Sequence, residues 1–248
     1  MLSILLPVLN EEENLSIMIN FLEATIKVEH EVLIIYDSHD DNSIAPSKEL
    51  IKKFNNIKLL YNDKGTGVRN AVTKGVEESK FDTILITTVD EIFPIISVDE
   101  MLKLITQYDC DIVTGTRYKY GGKRYGGSLL GHFLSRLGNK VFQITSGIPV
   151  SDATTGMKMF KKKIFKSIEL ESNLGWAFAF ELNIKAYIAG YKFGEAPLTS
   201  IDRLFGGTST FKAYAWLKEY FRWFIWGLLQ IKKNKIKSSS VVTLDNKK

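Results

Sequence analysis

Five short apolar runs punctuate the first half of this 248-residue chain, and each gives way to a polar cluster. The runs at 2–9, 31–36, 57–61, 83–89 and 111–114 have the length and apolar density of strands buried on both faces. Between them, 12–27, 44–54, 67–79 and 98–107 carry helical periodicity. This alternation predicts a mostly parallel sheet with helices on both faces, an α/β architecture whose ligand crevice lies at the carboxyl ends of the strands. The polar clusters 10–14, 37–43, 64–69, 90–91 and 117–124 fall at those five ends.

The second half changes character. Segments 128–144 and 176–189 read as helices, the latter closed by Gly190 as a C-terminal cap, and 191–200 reads as a strand. Segment 151–163 reads as a polar loop followed by a basic turn, and 211–231 as a long aromatic amphipathic helix. The expected organisation is one catalytic domain over 1–212, a membrane-surface helix over 213–231 and a basic flexible tail over 232–248.

Charge and cysteine content narrow the setting. The net charge of +5 resides in the tail, where six lysines meet one acid, Asp245, and the rest of the chain is neutral. That distribution excludes a nucleic-acid footprint spread over a folded face. It suits attraction to anionic lipid, and equally a solvated tail. The one cysteine, Cys110, excludes an internal disulfide, points to a reducing compartment, and in its apolar surroundings reads as core. No apolar run reaches the roughly 18–20 residues that span a bilayer, and the first nine residues enter a strand with no basic leader. The expected location is cytoplasmic, peripheral on the cytoplasmic face of a membrane.

Several clusters carry chemistry. Pro7, Asn10 and Glu11 form an acceptor-rich turn suited to ribose hydroxyls and base edges, or to the N-terminus of the following helix. Asp37 and Asp41 bracket a polar turn that also suits an Asx turn and helix cap. Gly65 and Gly67 precede a helix start that offers N–H donors to an anion, without the spacing of a P-loop. Asp90 and Glu91 supply hard oxygen ligands of the kind Mg2+ or Mn2+ takes. Arg117 and Tyr118 lead into Gly121 and Gly122, a fork for phosphate oxygens followed by a pliant loop. Asp152 opens the 151–160 segment, and Arg203, Ser209 and Lys212 lie in a basic stretch further on.

In order and spacing, these clusters resemble the inverting family 2 glycosyltransferases of GT-A (Rossmann-like) fold, and within them the dolichol-phosphate mannose synthase-like and polyprenyl-phosphate glycosyltransferase branch. The resemblance covers about residues 2–228. It implies a nucleotide-sugar donor held by Pro7, Asn10, Glu11, Asp37, Asp41, Gly65, Gly67 and Asp90. Arg203, Ser209 and Lys212 would close over its diphosphate. It implies a divalent metal at Asp90 and Glu91, and an acceptor phosphate at Arg117, Tyr118, Gly121 and Gly122. Asp152 would orient the acceptor or Arg117, so that Asp90, Arg117, Asp152 and Arg203 carry catalysis. Tyr36 and Thr88 stand where the family has acids, and the 207–212 stretch is one residue longer than its pattern.

The implied partners are a GDP- or UDP-sugar, a polyprenyl or dolichyl phosphate and an anionic membrane surface. A phosphate monoester is mostly a dianion at neutral pH, with a second pKa of about 6, so it attacks without a general base. That agrees with a chain of three histidines, His30, His39 and His132, in no triad or zinc-binding spacing. Two alternatives stand beside this reading. One is transfer to a glycan hydroxyl, with Asp152 as base; the other is a catalytically silent nucleotide-binding protein, suggested by Tyr36 and Thr88.

Overall fold

A computed structural model describes residues 1–127, 129–201, 213–236 and 239–244. The first half alternates as the sequence predicts. β1 (Leu2–Pro7), α1 (Glu12–Thr25), β2 (His30–Tyr36), α2 (Ile44–Lys53), β3 (Ile57–Tyr61), α3 (Val68–Glu78) and β4 (Thr83–Ile86) follow in order. A 3-10 turn at Phe93–Ser97 leads into α4 (Val98–Thr106) and β5 (Ile112–Thr116). Then come β6 (Lys123–Tyr125), α5 (Leu129–Ser146), β7 (Lys158–Lys161), α6 (Lys162–Ser167), α7 (Ala177–Ile188), β8 (Phe193–Pro197), β9 (Thr199–Ile201) and α8 (Ala213–Lys233).

Seven strands form one sheet in the order β3-β2-β1-β4-β7-β5-β8. All neighbours run parallel except β7, which is antiparallel to both β4 and β5. Side chains alternate across a strand, and the core divides accordingly. Leu2, Ile4 and Leu6 join Leu15, Met18 and Leu22 of α1 and Met101 and Ile105 of α4 on one face. Leu5, Leu33 and Ile35 join Val72 and Val76 of α3 and Phe178 and Leu182 of α7 on the other. The doubly covered, mostly parallel sheet is the architecture expected, and Cys110 is packed inside it.

Three departures matter for function. The first is β7, which stands at the centre of the sheet where the sequence suggested a loop and basic turn. Its four residues place Met159 in one core and Phe160 in the other, and the flanking lysines disguise the strand. The second is a small parallel pair, β6 with β9, registering Lys123 with Thr199 and Tyr125 with Ile201. It ties the glycine-bearing loop after β5 to the end of the strand region predicted over 191–200. The third lies in the tail, where Val242 N donates to Phe193 O (3.0 Å) and Glu195 N donates to Val242 O (2.9 Å). Val242 therefore pairs along the free edge of β8, and the expectation of a flexible tail does not extend to it.

The long aromatic amphipathic helix forms as α8, and its tryptophans and Tyr220 turn mostly toward the core. Trp223 is 1% exposed, and Tyr220, Phe224 and Trp226 pack on the core. The outward row is instead Leu217, Phe221, Ile225 and Leu229, four residues apart along one stripe. α5 packs against α8, with Phe142 and Phe224 ring centroids 5.0 Å apart. It exposes its own row, including Leu130, Phe133, Leu134, Leu137 and Ile144. Among the described residues, no helix is long and apolar enough to cross a membrane.

Candidate active site

The ends of β1 and β2 are stitched together by side chains that the sequence singled out. Asp41 Oδ1 accepts from Asn10 N (3.1 Å) and Ser43 N (2.8 Å), and Ser43 Oγ accepts from Glu11 N (2.8 Å). Asp41 is buried, so its main work is to hold these two turns in register. Asp37, directly after β2, reaches across to the turn after β3. Its two oxygens accept from Asn62 Nδ2 (2.7 Å) and Gly67 N (2.6 Å). Gly67 adopts φ 109°, a conformation that side chains resist, as it feeds α3. Pro7, Asn10, Glu11, Asp37, Asp41, Gly65 and Gly67 thus gather at one rim of the sheet.

Asp90 and Glu91 follow β4 at the same rim. Burial raises the Glu91 pKa, opposed by the Ser200 hydroxyl and by Arg117. Among the described residues, no cluster of three metal-ligating side chains occurs. With Thr88 in place of an acid, the residues fit a cation that arrives with phosphate oxygens and takes one or two protein carboxylates. They do not fit one held by protein alone.

Further along the same rim, beyond β4, the site is built on an ion pair after β5. Asp152 Oδ2 accepts from Arg117 Nε (2.7 Å) and from Arg117 N (3.2 Å), and Asp152 Oδ1 accepts from Arg117 Nη2 (2.9 Å). The Asp152 carboxylate is fully buried and the Arg117 side chain is 14% exposed. Burial opposes ionisation of Asp152, but the guanidinium prevails and holds its pKa below the ordinary carboxylate range. With both oxygens engaged and no solvent access, Asp152 is not placed to act as a general base. It orients Arg117.

Helix α5 braces this pair. Tyr118 Oη and Ser135 Oγ are 2.7 Å apart, Asn139 Nδ2 donates to Thr154 Oγ1 (2.8 Å), and Ala153 N donates to Asn139 Oδ1 (2.8 Å). From α7, Asn183 Nδ2 donates to Ala153 O (3.0 Å). Gly122 packs so closely that a Cβ there would lie 2.1 Å from Thr116 O. Between this loop and α5 opens a cavity of about 440 Å³. Arg117, Lys123, Arg124, His132, Phe133 and Arg136 are among its lining, and none of the described lining residues is an acid. Such a surface selects anions.

Ser135, Asn139, Asn183 and Glu195 were not singled out from the sequence. The first two stand four residues apart on one helix face, but among the other polar residues of α5 that spacing did not mark them out. Glu195 announced itself only as an acid inside a predicted strand. Arg203, Ser209 and Lys212 lie outside the described residues.

A doubly covered sheet with a polar rim at its carboxyl strand ends is the frame of an α/β transferase, and known proteins share it. The chain matches the family described as Glycosyl transferase family 2 over residues 3–169. It belongs to that family and is a glycosyltransferase. It is 24% identical over 202 residues to a dolichol-phosphate mannosyltransferase of Pyrococcus furiosus, covering 79% of this chain but 55% of that protein, so it spans about half its length. It is 25% identical over 224 residues to a dolichyl-phosphate hexose transferase of Haloferax volcanii, covering 86% of this chain and 91% of the relative.

Among solved structures, glucosyl-3-phosphoglycerate synthase of Mycobacterium tuberculosis, in complex with Mn2+, UDP-glucose and phosphoglyceric acid, superimposes with a TM-score of 0.66 at 15% identity. The match covers 96% of this chain and 81% of that one. A mannosyltransferase of Pyrobaculum calidifontis with GDP-mannose and Mn2+ gives 0.64 at 12% identity, covering 94% and 73%. These likenesses bear out the GT-A fold.

Replacing Asp152 with Ala leaves the Arg117 charge without its counter-ion. We expect a loss of about 3–5 kcal/mol of stability, measured by denaturant unfolding. Stability within about 1 kcal/mol of the parent would show that the pair does not organise this rim.

Proposed function

We propose that the chain transfers a hexose from a nucleoside-diphosphate sugar to the phosphate of a polyprenyl-type lipid, with inversion, at an anionic membrane surface. The observation that carries this reading is Arg117. It is fixed by Asp152 beside a cavity whose described lining is cationic. Phe133 lines that cavity and also belongs to the exposed apolar row of α5. A charged head group and an apolar chain would thus find their surroundings side by side.

The chemistry follows from the charges. A phosphate oxygen forms the new bond to the anomeric carbon, on the face opposite the departing diphosphate, as the old carbon–oxygen bond breaks. The dianionic nucleophile needs no base, consistent with Asp152 being fully buried against Arg117. Arg117, with Lys123, Arg124 and Arg136 nearby, would hold the phosphate in line, so catalysis rests on positioning and on stabilising the leaving group's charge. Asp90, with Glu91 beside it, would take up a Mg2+ or Mn2+ that neutralises the donor diphosphate. Arg203, Ser209 and Lys212 would close over that diphosphate. Names of relatives support this donor and acceptor class: two are dolichyl-phosphate sugar transferases, and the mannosyltransferase was crystallised with GDP-mannose and Mn2+.

Donor binding is tested by thermal unfolding with UDP or GDP, each with and without Mn2+. Ligand at about 100 times Kd adds roughly 2.7 kcal/mol, an upward shift of roughly 5–11 °C for a chain of this length. One nucleotide giving that shift supports the donor site and names the base. No shift with either, in the presence of Mn2+, counts against a donor site and so against this function.

Membrane docking is tested by sedimentation with vesicles containing anionic phospholipid. Burying a Phe side chain contributes about 1.5–3 kcal/mol. The Phe133→Ser and Phe221→Ser double variant should therefore bind at least about a hundredfold more weakly. Undiminished binding would sink the proposed docking face.

A further inference from the structure

Behind the Arg117–Asp152 pair lies a second buried charge that the proposed chemistry does not use. Glu195, on β8, is fully buried. Its Oε1 accepts from Ser151 N (2.6 Å), Ser151 Oγ (2.8 Å) and Asp152 N (3.1 Å). Ser151 Oγ lies 2.8 Å from Thr116 Oγ1, which in turn accepts from Tyr118 N (3.2 Å). Because Ser151 donates its hydroxyl proton to Glu195, Thr116 donates to Ser151. Every polar link in this chain then points toward the same carboxylate. The residues on both sides of Arg117, and the aspartate that grips it, are anchored at one oxygen atom.

Packing alone would not retain an acid there. A buried carboxyl is costly unless fully bonded, and Glu195 Oε2 has no hydrogen-bond partner among the described residues. Neither has Lys158 Nζ, also fully buried, which senses both Asp152 and Glu195. Burial pushes the Glu195 carboxyl up to about 7, against the Ser151 and Asp152 donors. It pulls the Lys158 ammonium down to about 7. The fold thus tolerates an expensive group at the position that fixes the 151–152 turn. Backbone pairing holds Glu195 itself, since it registers with Thr114 of β5 on one side and bonds to Val242 on the other.

We propose that Glu195 is a positioning residue for the glycosyltransferase reaction, fixing the Ser151–Asp152 turn and through it the orientation of the Arg117 guanidinium. This rests on the phosphate-contact reading of Arg117 for its kinetic consequence, but not for its structural one.

The test follows the Arg117 Nε–H resonance in 1H–15N NMR of the full chain, identified by its disappearance in Arg117→Lys. In Glu195→Ala that resonance should lose its hydrogen-bonded position and exchange with water. The KM for a short-chain polyprenyl phosphate should rise about tenfold or more, with kcat much less affected. Glu195→Gln, whose amide oxygen still accepts the three bonds, should restore the resonance and most of the affinity. If Glu195→Ala does not fold, Glu195→Asp, which draws the carboxylate back by one methylene, should show the same loss of signal. A folded Ala or Asp variant with an unchanged Arg117 resonance overturns the proposal. A lost resonance in an enzyme whose parent transfers nothing to the lipid phosphate leaves the positioning role standing and overturns the acceptor reading instead.

Discussion

The buried ion pair between Arg117 and Asp152 organises the half of the molecule that the sheet alone does not. Removing two charges from water is unfavourable unless each is bonded on all sides, and here the surroundings supply those bonds. The guanidinium meets both carboxylate oxygens, the Arg117 amide adds a third contact, and Glu195 holds the turn behind. The pair exists because β7 runs antiparallel between β4 and β5. That insertion brings the segment before β7 alongside the end of β5, joining residues 35 positions apart in sequence. A strictly parallel continuation would have left the two side chains on separate loops.

Two parts of the polar rim differ in how they are held. Turns after β1, β2 and β3 are tied by short bonds such as Asp41 to Asn10 and Asp37 to Gly67. The part beyond β4 depends on α5, which contributes Ser135 and Asn139 to the bracing of the loop after β5 and its apolar residues to the outer surface. One helix therefore links the charged cavity to the two-helix face it shares with α8. Because the polar and apolar duties fall on different sides of the same rigid helix, a lipid acceptor would meet its phosphate site already aligned with the surface from which it emerges.

Much of this frame was legible in the sequence, for a physical reason. Parallel strands covered on both faces write continuous apolar runs, and β1 to β5 stand out as such. The order of polar clusters after those runs then located the rim where the candidate site gathers. β7 was not legible, because only Met159 and Phe160 are apolar between lysines, and one of those lysines, Lys158, is itself buried. The orientation of α8 was also hidden. Its composition announced an amphipathic helix, but Trp223 turns inward with Nε1 donating to Glu219 (3.0 Å), and an aliphatic and phenyl row faces out. Glu195 and Asn183 could not be assigned because their partners lie 44 and 30 positions away, and no local period connects them.

The most direct measurement compares two acceptors that differ only in the phosphate. With a labelled nucleotide sugar, polyprenyl monophosphate and the corresponding polyprenol would be presented in the same vesicles, and label entering the lipid fraction would be counted. A site built on Arg117 and a base-free displacement predicts transfer to the phosphate and none to the alcohol, with the phosphate product lost in Arg117→Lys. Comparable transfer to the alcohol, or product formation indifferent to Arg117, would contradict it.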